Sequence, residues 1–453
     1  MEVSAIQAIA GLIISLAVLL YFIIKVKLHP FVSLILGALV FGFIAGEGPS
    51  TLSNIANGFG DLAAYIGPVI ILGTLIGTVL ERSGTLTAMA RWLIEKTGVK
   101  RAPIALLILG YLVSISVFCD AAFAILAPLV IALSAESGIG LVAMTSALAF
   151  ALHATHMLVP PTPGPLAAAG IMGADLGIVI ALGLVLGVPH ALVGYWWGRR
   201  VDRKYKIKPS EELLKRSVET SVGKEGKVFL GFLAILGPVF LIMLRSFVEY
   251  FFGDKGGIGL AFMQTIGHPI FALAIGLLIS LFTLDKITPD IYSFSGAFGE
   301  GVKMGGMMVA IVGAGGAYAA VLSASPLVDL IKGAFLELGI AGKLAALLVP
   351  AAIGFLIRTS VGSGTTGLIT AAAIIAPILE PIGFTTPLAK ALAVMAAGAG
   401  ATMIWHVNDD YFWVISSTTQ IDPEILLKIT SIGSVIQSVV TLAIVLLLAT
   451  FII

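Results

Sequence analysis

Four short polar stretches interrupt long apolar stretches of this chain, and each carries groups suited to binding an anion or moving a proton. The richest is RTSVGSGTTG at 358–367, where Arg358 offers a planar fork of donors that matches a carboxylate. Hydroxyl side chains there can hydrogen bond a polyol, and glycines let the backbone approach a ligand closely. The alternative is a structural ion pair between Arg358 and an acid elsewhere. The candidate binding residues of this stretch are Arg358, Ser360, Gly362, Ser363, Gly364, Thr365 and Thr366.

The second stretch, HVNDDYFW at 406–413, combines imidazole, amide and carboxylate groups. Burial favours the neutral form of a carboxyl group, and an imidazole titrates near neutral pH, so either can take up and release a proton. We predict that His406 and Asn408 contact a substrate and that Asp409 is a proton-coupling residue. The alternative is a helix cap formed by Asn408 and Asp409.

The third stretch centres on Phe118-Cys119-Asp120, within an otherwise apolar run. No neighbouring residue neutralises Asp120, so this carboxyl group must either meet a cation, such as Arg358 across the site, or carry a proton. A lone carboxyl group in apolar surroundings has strong reason to be protonated. We therefore predict that Asp120 takes part in proton coupling.

The fourth stretch, THMLVPPTPGP at 155–165, is rich in proline, which locks an extended loop and frees backbone carbonyls. We predict that His156 and Thr162 line the substrate site. His153 and His156 have a spacing that would let them share a metal ion, but no third ligand lies nearby in the sequence. We expect no bound metal and no cofactor.

Composition places all four stretches in a membrane protein. Hydrophobic residues make up 58% of the 453 residues and charged residues 11%, with a mean hydropathy of +1.08. A soluble chain carries about 25% charged residues. The net charge of +1 indicates no nucleic-acid partner, and the single Cys119 excludes a disulfide framework within one chain.

The apolar pattern predicts an all-α polytopic protein, and the stretches 102–134 and 343–379 are too long for one crossing. We interpret both as re-entrant hairpins, with a pair of ordinary spans as the alternative for each. The predicted crossings lie at 5–24, 30–46, 65–81, 141–158, 175–197, 227–249, 266–284, 304–323, 386–405 and 425–452.

The two halves of the chain match each other. An offset of 247 superposes Ala154-Thr155 on Ala401-Thr402 and Asp175 on Asp422. Paired broken helices in two halves mark the substrate site of secondary transporters, because open backbone groups must line a cavity. We predict a first inverted repeat at 1–198 (hairpin 102–134, broken helix 141–172), a cytoplasmic linker at 199–227, and a second inverted repeat at 228–453 (hairpin 343–379, broken helix 386–413) of about five crossings each.

Basic residues predict the orientation, because cytoplasmic connections are enriched in Lys and Arg. With both termini outside, the linker and most other basic residues fall on the cytoplasmic side of the inner membrane. The outer connections then hold only Lys255, Lys332, Lys343 and Lys390.

Several of these strings together resemble the gluconate permease family, which belongs to the ion transporter superfamily. The resemblance implies a bacterial proton-coupled symporter for gluconate and related sugar acids. It also implies a homodimer formed through a scaffold domain and an elevator-like movement of a transport domain. The strings are FCDAAFAILAPL (118–129), THMLVPPTPGP (155–165), GAGGAY (313–318), RTSVGSGTTG (358–367), AAAIIAPIL (371–379) and HVNDDYFW (406–413).

Other functions remain open at this point. A symporter of the same fold could use sodium, or carry another small organic anion or an amino acid. An intramembrane hydrolase would need a complete nucleophile–base pair or metal triad, and His153 and His156 lack a third partner. A passive channel would need a continuous polar lining, whereas the polar residues here concentrate at four points, which favours alternating access.

Overall fold

A computed structural model describes residues 5–220, 227–252, 257–337, 339 and 344–451. Those residues form α-helices with short connections and no β-strand. The helices of the first half are α1 Ala5–Tyr21, α2 Pro30–Ile44, α3 Ser50–Arg82, α4 Thr85–Thr97, α5 Ala102–Val113, α6 Cys119–Ser137, α7 Leu141–Leu158, α8 Pro163–Met172, α9 Leu176–Tyr205 and α10 Glu211–Thr220.

The second half has the same all-helical character. A short π-helix at Phe22–Val26 and 3-10 turns at Val99–Arg101 and Leu344–Leu347 complete the described elements. The helices are α11 Val228–Phe252, α12 Ile258–Ile266, α13 Pro269–Leu281, α14 Pro289–Tyr292, α15 Ala297–Ser323, α16 Leu327–Glu337, α17 Leu348–Val361, α18 Gly364–Leu379, α19 Pro387–Thr402, α20 Asp410–Thr419 and α21 Pro423–Ala449.

Many of these helices have the length and apolarity needed to cross a membrane. Eight candidate spans lie within the described residues, and the pair α12 and α13, bent by 59°, makes up to nine. The chain is therefore an all-α, multi-pass membrane protein, as predicted. The predicted crossings at 5–24, 30–46 and 386–405 fall on shorter apolar helices, α1, α2 and α19.

Helix boundaries recur at one spacing in the two halves. Helices α3 and α15, α8 and α20, and α9 and α21 each begin 247 residues apart. Asp175 and Asp422 cap the last pair in the same way, with a side-chain oxygen that accepts a backbone N–H at 2.8 Å. A carboxylate at this position satisfies a donor that the first turn leaves free.

The matching long helices pack against each other in opposite directions. Gly58 near the start of α3 abuts Gly316 of α15, whereas Thr78 near its end abuts Gly301. Likewise, the indole N–H of Trp197, late in α9, donates to the Ile429 carbonyl, early in α21, at 3.1 Å. Equivalent helices of the two halves are therefore antiparallel where they meet.

The helices pack in two groups. Helices α3 and α15 pack along each other and against α2 and α13, and α1 packs against α2. The second group joins α5 to α9 with α17 to α21, and its broken helix α7 is buried along its whole length. The α5–α6 and α7–α8 breaks are therefore enclosed by protein, where open backbone groups need polar partners, whereas the α17–α18 and α19–α20 breaks are only partly buried.

The segment predicted as a cytoplasmic linker is partly helical. Helix α9 continues to Tyr205, and α10 then packs against α6. Residues 221–226 of the predicted linker lie outside the described residues, as do Lys255 and Lys343 of the predicted outer connections.

Candidate functional site

The turn between α17 and α18 forms one wall of the site. Gly362 ends α17 with φ +82°, a left-handed conformation that glycine adopts without strain. The Ser363 hydroxyl then caps α18 by accepting the Thr366 N–H at 3.3 Å. Gly367 packs closely against the backbone of Arg358, so the two short helices meet tightly at their tips.

An ion pair between Arg358 and Asp409 lies at the centre. Arg358 is completely buried, and it donates from Nη2 to Asp409 Oδ2 and from Nη1 to the Gly362 carbonyl. Asp409 is 6% exposed, and its other oxygen accepts the Tyr411 N–H at 2.7 Å as the cap of α20. The ion pair of Arg358 and a cap of α20 are thus present together, but Asp409 forms the cap without Asn408, which bonds to Thr359.

The connection from α19 to α20 reaches back to the α17 tip. Asn408 Nδ2 donates to the Thr359 carbonyl at 3.0 Å, and His406 Nε2 donates to the same oxygen at 3.3 Å. Asn408 is exposed and His406 half-buried, whereas Arg358 behind them is enclosed.

The α7–α8 break contacts the same tip from the other side. His156 Nε2 and the Thr365 hydroxyl are hydrogen bonded at 3.1 Å. The His156 ring also lies 5.9 Å from that of Phe118, next to the α5–α6 break. A Cβ at Gly364 would lie 2.6 Å from the Met157 sulfur, so the α7–α8 break and this tip pack closely here.

Two predicted binding hydroxyls are bonded to nearby backbone. Thr162 donates to the Val159 carbonyl at 2.5 Å and lines a small cavity beside His156. Ser360 donates to the Leu356 carbonyl of its own helix at 2.8 Å. Both contacts stabilise local backbone and leave the oxygens able to accept further hydrogen bonds.

Asp120 begins α6 near this cluster without pairing to Arg358. Its Oδ1 accepts a hydrogen bond from Cys119 Sγ at 3.2 Å, and Asp409 and Arg358 lie within electrostatic range. The partner of Arg358 among the described residues is Asp409. The α5–α6 break thus adds a second carboxyl group to the surroundings of the ion pair.

Sequence reasoning missed a stack of aromatic rings behind the ion pair. The Trp405 ring lies parallel to those of His153, at 4.8 Å, and Tyr411, at 5.0 Å, and all three are buried. Trp405 and Tyr411 lie on either side of Asp409 in the chain, and their rings stack on each other. The sequence offered one sign of this stack, because Trp405 and Tyr411 directly flank the polar stretch 406–410.

The imidazole of His153 therefore stacks on the indole of Trp405. Within the described part of the chain, no three His, Cys, Asp or Glu side chains are grouped so that they could hold a metal ion. The groups gathered at the breaks are one guanidinium, three carboxyl groups, imidazoles, hydroxyls and one amide. They belong to Arg358, Asp120, Asp409, Asp410, His156, His406, the Ser and Thr residues of these stretches, and Asn408. Such a set can bind an anion and exchange a proton.

Comparisons with known proteins show which family the chain belongs to. The model of the GntP family permeases matches residues 7–452. The chain is 33% identical to a gluconate permease of Pseudomonas aeruginosa, over 95% of both chains. It is 28% identical to the D-serine transporter DsdX of Escherichia coli K12, over 97% of this chain and 98% of that one.

A solved structure shares the fold. The YdaH transporter of Alcanivorax borkumensis superposes with a TM-score of 0.63, over 94% of this chain and 99% of that one, at 15% sequence identity. The family and these relatives are permeases and transporters rather than enzymes. With buried breaks in apolar helices and a family match along almost its entire length, this chain belongs to the GntP permease family.

Proposed function

We propose that this protein is a secondary transporter that carries gluconate, or a related sugar acid or small hydroxycarboxylate, into the cell together with a proton. The observation that carries the proposal is Arg358, a fully buried guanidinium at the tip of two short helices. A charge at membrane depth is costly and is retained where it has a function. The planar fork of arginine matches a carboxylate.

The relatives support a carboxylate as the recognised group. Gluconate and D-serine, the compounds in the names of two relatives, differ in length and in the α substituent. Both carry a carboxylate next to a carbon with a polar group. Arg358 would bind that carboxylate, and hydroxyl and amide groups around it would bind the remainder. Those groups are Ser360, Ser363, Thr365, Thr366, Thr162, His156, His406 and Asn408.

Two carboxyl groups are candidates for the coupled proton. Asp409 is paired with Arg358, and Asp120 lies near both. A carboxyl group at membrane depth can carry a proton across because its neutral form is tolerated there. Sodium coupling is the alternative, and it predicts accumulation that follows a sodium gradient.

We also propose that the halves 1–198 and 228–453 are inverted repeats, joined by a cytoplasmic linker. The antiparallel packing of α3 on α15 and of α9 on α21 supports this arrangement. The group around α3 and α15 would be the scaffold of a homodimer, and the group containing the four breaks would move as an elevator. Both termini would then lie outside the inner membrane.

Counterflow into proteoliposomes tests the substrate class without any ion gradient. Vesicles loaded with unlabelled gluconate should take up labelled gluconate, and unlabelled L-idonate or D-serine outside should compete to different degrees. The parent sugar glucose, which lacks a carboxylate, is the matched control and should not compete. Competition by glucose that equals that of gluconate would contradict recognition of a carboxylate.

A further inference from the structure

The guanidinium of Arg358 already has an anionic partner inside the protein. Its Nη2 donates to Asp409 Oδ2, its Nη1 donates to the Gly362 carbonyl, and its Nε is buried without a partner among the described residues. Because both side chains of the pair are enclosed, water screens their charges poorly. A substrate carboxylate that binds the same fork must therefore compete with Asp409.

Charge balance decides that competition. Ionised Asp409 and Arg358 sum to zero, so a bound carboxylate would leave one uncompensated negative charge in the site. Burying an unpaired charge is costly. A proton taken up by Asp409 along with the carboxylate restores neutrality, and the guanidinium then pairs with the substrate.

The surroundings of Asp409 favour the same exchange. Arg358 on α17 is the cation that faces Asp409, while α6 contributes Asp120 and Cys119 and α20 contributes Asp410 and Tyr411. Once Arg358 turns to a substrate carboxylate, the remaining groups supply no positive charge to Asp409. Its negative charge then faces the nearby carboxylates.

We propose that Asp409 is a resident carboxylate that holds Arg358 until it is protonated, and that protonation transfers the guanidinium to the substrate carboxylate. This inference rests on the proposed function, since it assumes a carboxylate substrate. The proton comes from the aqueous side that the site faces, binds Oδ2, and leaves with the substrate on the other side. Meanwhile Oδ1 keeps its hydrogen bond from the Tyr411 N–H, so α20 stays capped throughout.

Calorimetry on the purified full-length protein tests the exchange, with gluconate as the probe and buffers of different ionisation enthalpy. Wild-type protein should take up about one proton per gluconate, and its Kd should rise by about tenfold per pH unit above the titration of Asp409. Asp409→Asn should take up no proton, and its Kd should not change with pH. Asparagine keeps the cap, because its side-chain oxygen can accept the Tyr411 N–H.

Control variants separate this inference from its alternatives. Asp410→Asn neutralises the exposed neighbouring carboxylate and should keep the proton uptake of wild type. If Asp409→Asn fails to fold, Asp409→Ser, also neutral and able to cap, takes its place. Proton uptake that persists in the Asp409 variant, or is lost in Asp120→Asn instead, would overturn the proposal.

Failure of the proposed function would look different. A wild-type protein that binds neither gluconate nor another sugar acid at any pH would contradict the substrate class. Gluconate binding that is intact but unlinked to protons in wild type would overturn only the exchange between Asp409 and the substrate. A folded Asp409→Asn protein that binds no gluconate at any pH would overturn the exchange as well.

Discussion

The α7–α8 and α19–α20 breaks occupy matching places in the two halves, yet their chemistry differs. The helices that follow them, α8 and α20, begin 247 residues apart. The first break is filled by prolines, and its polar side chains are the neutral groups His156 and Thr162. The second carries Asp409, which pairs with Arg358.

The two breaks share their backbone structure but differ in the side chains that could recognise a substrate. Each break can supply open backbone groups and a helix N-terminus. Only the second adds a full charge, and the charge it pairs with comes from the α17–α18 tip of the same half. We infer that the second half provides the ionic contact with substrate, whereas the α7–α8 break of the first half shapes the cavity through neutral hydrogen bonds.

The largest effect should come from Arg358→Ala. Removing one partner of an enclosed, hydrogen-bonded charge pair costs roughly 2–5 kcal/mol, which corresponds to a loss of affinity of about thirtyfold or more. Arg358→Lys should weaken binding less, because it keeps the charge but loses the planar fork. Calorimetry with gluconate measures both, after a thermal melt shows that each variant is folded. Near-wild-type affinity in Arg358→Ala would place the anion site elsewhere.

A smaller effect is expected from Gly362→Ala. A Cβ there would lie 2.2 Å from the Asn408 carbonyl oxygen, and φ is +82°. The left-handed conformation alone costs roughly 1–2 kcal/mol for a residue with a side chain. Gluconate affinity and the melting temperature should both fall. Gly306→Ala is the matched control, because its Cβ would meet no atom within 4 Å. It should leave gluconate affinity unchanged and should not lower the melting temperature, since alanine favours a helix over glycine.

The sequence predicted the breaks but could not predict which acid pairs with Arg358. Helix breaks follow from local features, because proline, glycine and polar residues disrupt an apolar helix wherever it packs. The pairing of Arg358 with Asp409 depends on how α17 and α20 meet, and those positions are 51 residues apart. Asp120, the partner considered from the sequence, lies nearby and bonds to Cys119 instead.

The aromatic stack escaped prediction for the same reason. Trp405 and Tyr411 are close in sequence, but the parallel arrangement also needs His153 from the other half. His153 and His156 do lie on the same helix, α7, but the His153 ring stacks on Trp405. The contacts of His153 come from a distant segment of the chain, so the spacing of neighbouring residues could not predict them.

A third prediction concerns the neutral contact between the halves. Thr365→Val removes the hydroxyl that is bonded to His156 and keeps the side-chain shape. A neutral hydrogen bond contributes about 0.5–1.5 kcal/mol, so gluconate affinity should fall by roughly two- to tenfold. Thr370→Val, on the same helix, removes a buried hydroxyl without a partner in the described structure and should have no such effect. A loss as large as that of Arg358→Ala would contradict the division of roles.

The smallest effect should follow Thr162→Val in the first break. Its hydroxyl donates to the Val159 carbonyl, so its removal changes local backbone more than the ionic contact. We expect gluconate affinity to fall by about twofold, with Thr162→Ser, which keeps the hydroxyl, close to wild type. Equilibrium binding of labelled gluconate measures the change. A loss above about tenfold would show that the first break also recognises substrate directly.

Uphill uptake of gluconate tests the central claim most directly. Proteoliposomes with an acidic exterior and no sodium should accumulate labelled gluconate above its outside concentration. A protonophore should abolish that accumulation, because the proton gradient is its energy source. Accumulation that survives collapse of the pH gradient, or that occurs only with an inward sodium gradient, would contradict proton-coupled transport.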